Sequence, residues 1–244
     1  MTHLTRGIYR AHLAENVPDS ALALRHRRFR VLRGQSQPTD TDQFDATCRH
    51  MLIHDTTTGD LVCTFRLMSF ASGQTITTSY AAQFYDLTPL AALTEPMIEL
   101  GRFCLHPDRN DPDILRLAWA ALTRLVDAEA TALLFGCSSF DGADPAIHRS
   151  ALAYLARHHL GPATLRPATL RLGVRAPAIP LRPADHPAPT LPPLLRTYLA
   201  MGAWVSEHAV IDRDLDTLHV FTALPIAGIP PRRAAALRAL TATS

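Results

Sequence analysis

The sequence predicts an α/β fold, a mixed central sheet flanked by helices. Three observations carry this. Strand-length apolar runs alternate with helix-period runs along most of the 244 residues. Residues 97–137 read as a strand, a helix and a strand in succession. Within that unit, residues 131–137 (TALLFGC) are almost wholly apolar, as a strand buried on both faces must be.

The elements follow in order. Residues 7–14 alternate loosely and suit a first strand. Residues 18–32 suit a helix, with Pro18 and Asp19 in its first turn and Ala21, Leu22, Leu24, Phe29 and Leu32 at helical spacing. Residues 34–43 are polar, contain Pro38 and read as a loop. Residues 48–54 and 61–68 are strands joined by Thr57-Thr58-Gly59-Asp60, a hairpin signal. Residues 69–96 are irregular, with a short helical piece near 80–85. Residues 97–106 (MIELGRFCLH) form a strand that Pro107 stops. Asp111-Pro112-Asp113 opens a helix through Ile114, Leu117, Trp119, Leu122, Leu125 and Val126. Asp144-Pro145 opens another, to about His158. Residues 161–193 are Pro-rich and read as an insertion in a single domain spanning 1–244. A short helix at 193–201, closing strands at 204–211 and 218–224, and a helix at 232–240 complete the chain.

Hydrophobic residues make up 47% and charged residues 19%, which suits a packed core and not a disordered chain. The net charge of +2 gives no bulk footprint for nucleic acid. All 24 basic residues are arginine, so a Schiff-base lysine and a P-loop lysine are both excluded. Cys48, Cys63, Cys104 and Cys137 form no CxxC pair, which argues against structural zinc and for a reducing, cytoplasmic compartment. The segment MTHLTRGIYRAH has no apolar core like that of a signal peptide. No run is long and apolar enough to cross a membrane.

Several charges sit in apolar surroundings. Arg25 lies four residues before Phe29 on a helix, and Asp42 and Asp45 bracket Gln43-Phe44. Arg66 sits in LVCTFRLM. Glu99 and Arg102 sit in one strand, three apart, and so point to opposite faces if that strand is regular. Buried charges are costly unless paired. The plainer reading is a set of Arg–carboxylate pairs that hold the fold.

The ordered set Arg25-x-x-x-Phe29, Asp42-Gln-Phe-Asp45, Phe65-Arg66-Leu67 and Glu99-Leu-Gly-Arg102-Phe103 resembles acyltransferases that use acyl carrier protein thioesters. These are the acyl-homoserine-lactone synthases and the ornithine lipid N-acyltransferases, both of the GNAT fold. The chain is more similar to the ornithine lipid branch. That likeness shows in Phe44-Asp45-x-x-Cys48-x-His50, ELGRFCLHPDRN (99–110), LLFGCSSF (133–140), LPPLLRTYLAMGAWV (191–205) and Asp212-Arg213-Asp214. It covers residues 9–224. Lactone synthases carry a tryptophan ten residues after the helix arginine, where this chain has Gln35. Acetyl-CoA members carry a Gly-rich turn before the helix that follows the central strand. Here that turn is Arg109-Asn110-Asp111-Pro112-Asp113. Loss of those pyrophosphate-binding glycines suits a carrier-protein donor.

The resemblance implies transfer of a 3-hydroxyacyl group from acyl carrier protein to the α-amine of ornithine, giving lyso-ornithine lipid. It implies no metal and no bound cofactor, the acyl thioester being a co-substrate. An α-amine must lose a proton before it attacks, and Glu99, with Arg102 beside it in the strand, is the catalytic candidate. Arg25, Arg66 and Arg102 are candidates to fork the substrate carboxylate. Asp42 and Asp45 are candidates for a cationic group, or else they cap and order the 34–47 loop. Phe29 is a candidate wall of the substrate site, and His50 orders the same loop or pairs with an Asp. Backbone N–H groups near Phe103 and Cys104 are oxyanion candidates, and Cys137, Ser138 and Ser139 would meet the pantetheine amides. Neither Cys104 nor Cys137 is read as a nucleophile.

The acyl chain would lie along apolar residues of 114–126, Trp119 included, and the 69–96 segment. Arg109, Arg116, Arg124, Arg149 and Arg157 are candidates to dock an acidic carrier protein. The Pro-rich stretch, with Arg166, Arg171, Arg175 and Arg182, is a candidate peripheral contact with an anionic membrane. Three alternatives stay open: another amino acid such as glutamine, lactone synthesis from S-adenosylmethionine, and a non-catalytic carrier-binding module.

Overall fold

The computed structural model describes residues 3–170, 177–184 and 190–242. In chain order the elements are β1 (Leu4–Arg6), β2 (Tyr9–Ala14), α1 (Asp19–Phe29), β3 (Arg49–Asp55), β4 (Leu61–Phe70), β5 (Tyr85–Asp86) and β6 (Met97–Leu105). Then come α2 (Pro112–Ala128), β7 (Leu133–Asp141), α3 (Arg149–His158), β8 (Ala168–Thr169), β9 (Ala178–Pro180), α4 (Pro193–Ala200), β10 (Trp204–Asp212), β11 (Thr217–Pro225) and α5 (Pro231–Ala242). The chain divides into two compact units. One holds Met1–Ser69, Leu100–Thr131 and Pro230–Ser244, the other Phe70–Glu99 and Ala132–Ile229.

In the first unit β1, β2, β3 and β4 pair antiparallel in sequence order. Helix α1 is shorter than the sequence suggests. It ends at Phe29, and Val31–Arg33 form a separate 3-10 turn closed by Gly34 in the left-handed region. Ala21 and Leu24 of α1 pack on Leu52, Leu61 and Cys104. Helix α2 starts where Asp111-Pro112-Asp113 predicts, with the Asp111 carboxylate accepting the Asp113 N–H. Its apolar residues Ile114, Leu117, Ala118, Ala121 and Leu125 are buried. The helix packs on β1, β2, β3 and α5, so these side chains belong to the core.

The second unit has a mixed sheet. Strand β7 pairs parallel with β6 over Met97↔Leu133 to Glu99↔Phe135 and antiparallel with β11 along its length. Strands β10 and β9 continue the sheet. The apolar run at 131–137 becomes a central strand as expected, but it begins at Leu133. Thr131 N–H instead donates to Val126 O, and Ala132 N–H to Pro96 O. The described part of the Pro-rich stretch supplies β8 and β9, which the sequence does not announce. Arg171 and Arg175 lie outside the described residues. Among the described residues, no helix is long and apolar enough to cross a membrane.

Gly161 sits against the indole of Trp204, where a Cβ would lie 2.2 Å from Cε3. Gly161→Ala is expected to destabilise the protein by about 1–3 kcal/mol in urea unfolding, because both the ring and the backbone must shift.

Candidate active site

The first unit gathers most of the charges that the sequence leaves in apolar surroundings. Arg25 is 1% exposed. Its Nε donates to Asp40 Oδ2 at 2.9 Å, Nη1 to Asp45 Oδ1 at 2.6 Å and Nη2 to Asp45 Oδ2 at 3.1 Å. Nη2 also donates to the Asp40 carbonyl. Arg66 Nη1 bridges Asp42 Oδ1 at 2.6 Å and Asp45 Oδ1 at 3.0 Å. Arg102 reaches Asp40 Oδ2 at 3.1 Å and Asp42 Oδ2 at 3.2 Å. Arg30 Nε lies 3.3 Å from Asp40 Oδ1. Arg25, Asp42, Asp45, Arg66 and Arg102 are therefore brought together, and the pairs hold one another.

The loop folds this way for local reasons. Asp42 caps the 3-10 turn Gln43–Ala46 by accepting the Phe44 N–H, and the Asp45 carboxylate accepts the Asp42 N–H. His50 Nε2 lies 3.1 Å from Asp45 O. A carbonyl only accepts, so Nε2 carries the proton and donates. Burial pushes the His50 imidazole below its usual value, with the charges of Arg25 and Arg66 adding to that effect against Asp45.

Asp42 is the most exposed carboxylate of the cluster, with 21% of its side chain open, against 4% for Asp45 and 0% for Asp40. Burial alone would raise the Asp42 carboxyl, but the Arg66 hydrogen bond and the charges of Arg66 and Arg102 hold it below its usual value. Burial also acts to raise Asp45. The Arg25 hydrogen bond and charge, the Asp42 N–H and Arg66 outweigh it and bring Asp45 to about 2.

Arg102 has φ 52, a left-handed backbone unusual for arginine. The regular alternation that would set Glu99 and Arg102 on opposite faces is broken there. Phe103 stacks on Phe65 with ring centroids 5.1 Å apart. Cys104 is buried, and its thiol is pushed up to about 12, chiefly by burial. A thiol held that far up carries little thiolate, the form that attacks. Phe29 is partly buried against the cluster of Ala21, Leu24, Leu52, Leu61 and Cys104, with the Arg33 guanidinium over its ring.

In the second unit the buried Glu99 carboxylate accepts Tyr80 N–H at 2.8 Å and Ala81 N–H at 2.7 Å. Those donors open the 3-10 turn Ala81–Gln83. Cys137 stands opposite Phe221 in the β7–β11 register, and Ser139 opposite His219. Ser138 Oγ accepts from Thr222 Oγ1 at 2.9 Å.

The docking candidates are scattered in role. Arg109 pairs with Asp60 at 2.9 Å, and Arg116 with Asp113 at 2.8 Å. Arg124, Arg149 and Arg157 are exposed, Arg166 lies 3.6 Å from Glu207, and Arg182 is exposed. Trp119 is partly buried on α2. The sequence reading missed Asp40 and Arg30. The signal was present in Asp40-Thr-Asp42-Gln-Phe-Asp45, three acids in six residues after a helix rich in arginine.

Comparison with known proteins gives the family. Residues 24–120 match the acetyltransferase (GNAT) domain family. The L-ornithine N(alpha)-acyltransferase of Rhodobacter capsulatus is 35% identical, over 74% of this chain and 72% of its own length. That of Brucella abortus is 34% identical, over 79% of this chain and 72% of its own. This chain belongs to the L-ornithine N(alpha)-acyltransferase family. It is an acyltransferase of GNAT fold. An N-acyl amino acid synthase from uncultured soil microbes shares the fold, with TM-score 0.51 and 9% identity over 89% of this chain and 93% of that one.

Two outcomes follow for the charge cluster. Arg25→Met should cost about 3–5 kcal/mol in urea unfolding, since it leaves buried Asp40 and Asp45 undercompensated. Asp45 titrates at about 2 in the folded chain and near 3.8 unfolded. Its contribution, about 2 kcal/mol, is then complete above about pH 4 and fades as pH falls toward 2. Asp45→Asn should be less stable at pH 7, and that difference should shrink in unfolding curves taken between pH 4 and 2.

Proposed function

We propose that this chain transfers a 3-hydroxyacyl group from acyl carrier protein to the α-amine of L-ornithine, giving lyso-ornithine lipid. The observation that carries the reading is its membership of a family whose relatives bear the name L-ornithine N(alpha)-acyltransferase. The charge cluster of the first unit supports an amino-acid acceptor that has a second cation.

The reaction forms a C–N bond at the thioester carbonyl and breaks the C–S bond. The ammonium loses one proton before it attacks and a second as the tetrahedral adduct collapses; the leaving thiolate takes up one of the two and the other passes to solvent. Glu99 is the proposed proton acceptor. Its two oxygens are fixed by the Tyr80 and Ala81 N–H groups, so the carboxylate is oriented before the amine arrives. Arg66 and Arg102 are the proposed partners of the α-carboxylate, and Asp42, the open acid, of the side-chain ammonium. Arg25 has four N–H contacts with Asp40 and Asp45, which suits a positioning role. Arg116 and Arg149, both exposed, and Arg109, paired with Asp60, are the proposed contacts for an acidic carrier.

The test is mass spectrometry of products from purified protein given 3-hydroxyacyl carrier protein and a mixture of amino acids that includes ornithine and glutamine. N-acyl ornithine is the expected product. N-acyl glutamine would overturn the acceptor, and no product with any acceptor would overturn the donor. Glu99→Gln should lower kcat by about 100-fold or more while carrier binding persists, in line with loss of a general base. An unchanged kcat would remove Glu99 from that role.

A further inference from the structure

Between Ser20 and Thr39 the sequence holds five arginines, one histidine and no acid. Within that stretch Val31 and Leu32 lie on one 3-10 turn, 54% and 53% exposed. Among the described residues they are the only large exposed hydrophobics adjacent in sequence. Arg27 and Arg28 precede the pair in the last turn of α1, and Arg33 follows it. Arg27 is exposed and pairs with Asp108 on the surface. Gly34, with φ 68, turns the chain away directly afterwards. The pair is thus set on a short turn with cations on both sides.

We propose that this turn, Val31 and Leu32 with Arg28 and Arg33, rests in the interface of an anionic lipid bilayer. Two aliphatic side chains held half in water gain by entering the headgroup–acyl boundary. Guanidinium groups beside them are attracted to a negatively charged leaflet over about a Debye length. A stable protein partner would need roughly 800 Å² on each side, far more than this turn offers. A bilayer needs no such complementary surface. The inference rests in part on the reading above, because an N-acyl amino acid is itself a lipid and must leave the enzyme for a membrane.

This contact is separate from the one expected at the Pro-rich stretch, where Arg166 lies 3.6 Å from Glu207 and Arg182 is exposed.

The experiment is co-sedimentation of the full chain with vesicles of equal parts phosphatidylglycerol and phosphatidylcholine, and with phosphatidylcholine alone. Wild type should sediment with the anionic vesicles at about 0.1 M salt and far less at about 1 M. V31S/L32S should bind at least about tenfold more weakly with an unchanged thermal midpoint. R28Q/R33Q should lose the preference for phosphatidylglycerol. Wild type that ignores both vesicles, or V31S/L32S that binds as well as wild type, overturns the proposal. So does a double variant that alters only self-association, or only capture of acyl carrier protein. Binding is read without turnover, so the two readings separate. An active protein that ignores vesicles sinks this one alone, and an inactive protein that binds them sinks only the proposed reaction.

Discussion

Three aspartates and four arginines meet in the first unit, and most of them are sealed from water. Charges in such a place are costly unless they are paired and hydrogen-bonded. That constraint dictates the loop. Asp40, Asp42 and Asp45 must come off one short stretch, so the chain between α1 and β3 cannot be a free connection. The capping exchange between Asp42 and Asp45 sets its turn, and the His50 ring ties that turn to β3. The same constraint reaches into β6. Arg102 holds a left-handed backbone costing about 1–2 kcal/mol, and its ion pairs to Asp40 and Asp42 offset that cost.

The cluster also sorts its members. Arg25 and Asp40 are closed off and act as a frame. Asp42 and, to a lesser degree, Arg102 keep part of their surface open. A frame of buried pairs that holds a few open charges in fixed positions is a way to recognise a small zwitterion without paying for side-chain ordering at each encounter. In the second unit Glu99 follows the same logic with neutral donors, two backbone N–H groups fixing one carboxylate.

Much of the fold is legible in the sequence because its signals are local. Asp111-Pro112-Asp113 marks the start of α2 and Thr57-Thr58-Gly59-Asp60 marks a hairpin, whereas Asp144-Pro145, expected to open a helix, opens a 3-10 turn and α3 starts only at Arg149. The end of α1 is misplaced by three residues, since Leu32 keeps the helical spacing while the backbone has already tightened into a 3-10 turn. Strands β8 and β9 escape notice because two or three residues amid prolines carry no periodicity. The site residues are legible as misfits, charges where apolar residues belong. Their pairing is not, because Arg25 and Asp45 are twenty residues apart and Arg102 and Asp40 sixty-two. Asp40 escapes for the opposite reason. In a polar loop one more aspartate looks ordinary, and only burial shows it to be the hub.

Asp40 is closed off while Asp42 stays partly open, and in the proposed reaction only Asp42 meets the acceptor. Asp40→Asn and Asp42→Asn, compared in urea unfolding and in ornithine kinetics, test this division most directly. Asp40→Asn should lose about 3 kcal/mol or more of stability, as removal of a buried charge partner does. Asp42→Asn should lose less than that and raise the KM for ornithine at least about tenfold, the size of a lost charge-assisted hydrogen bond. Equal losses of stability with an unchanged KM in Asp42→Asn would contradict it, and would leave the cluster as scaffold alone.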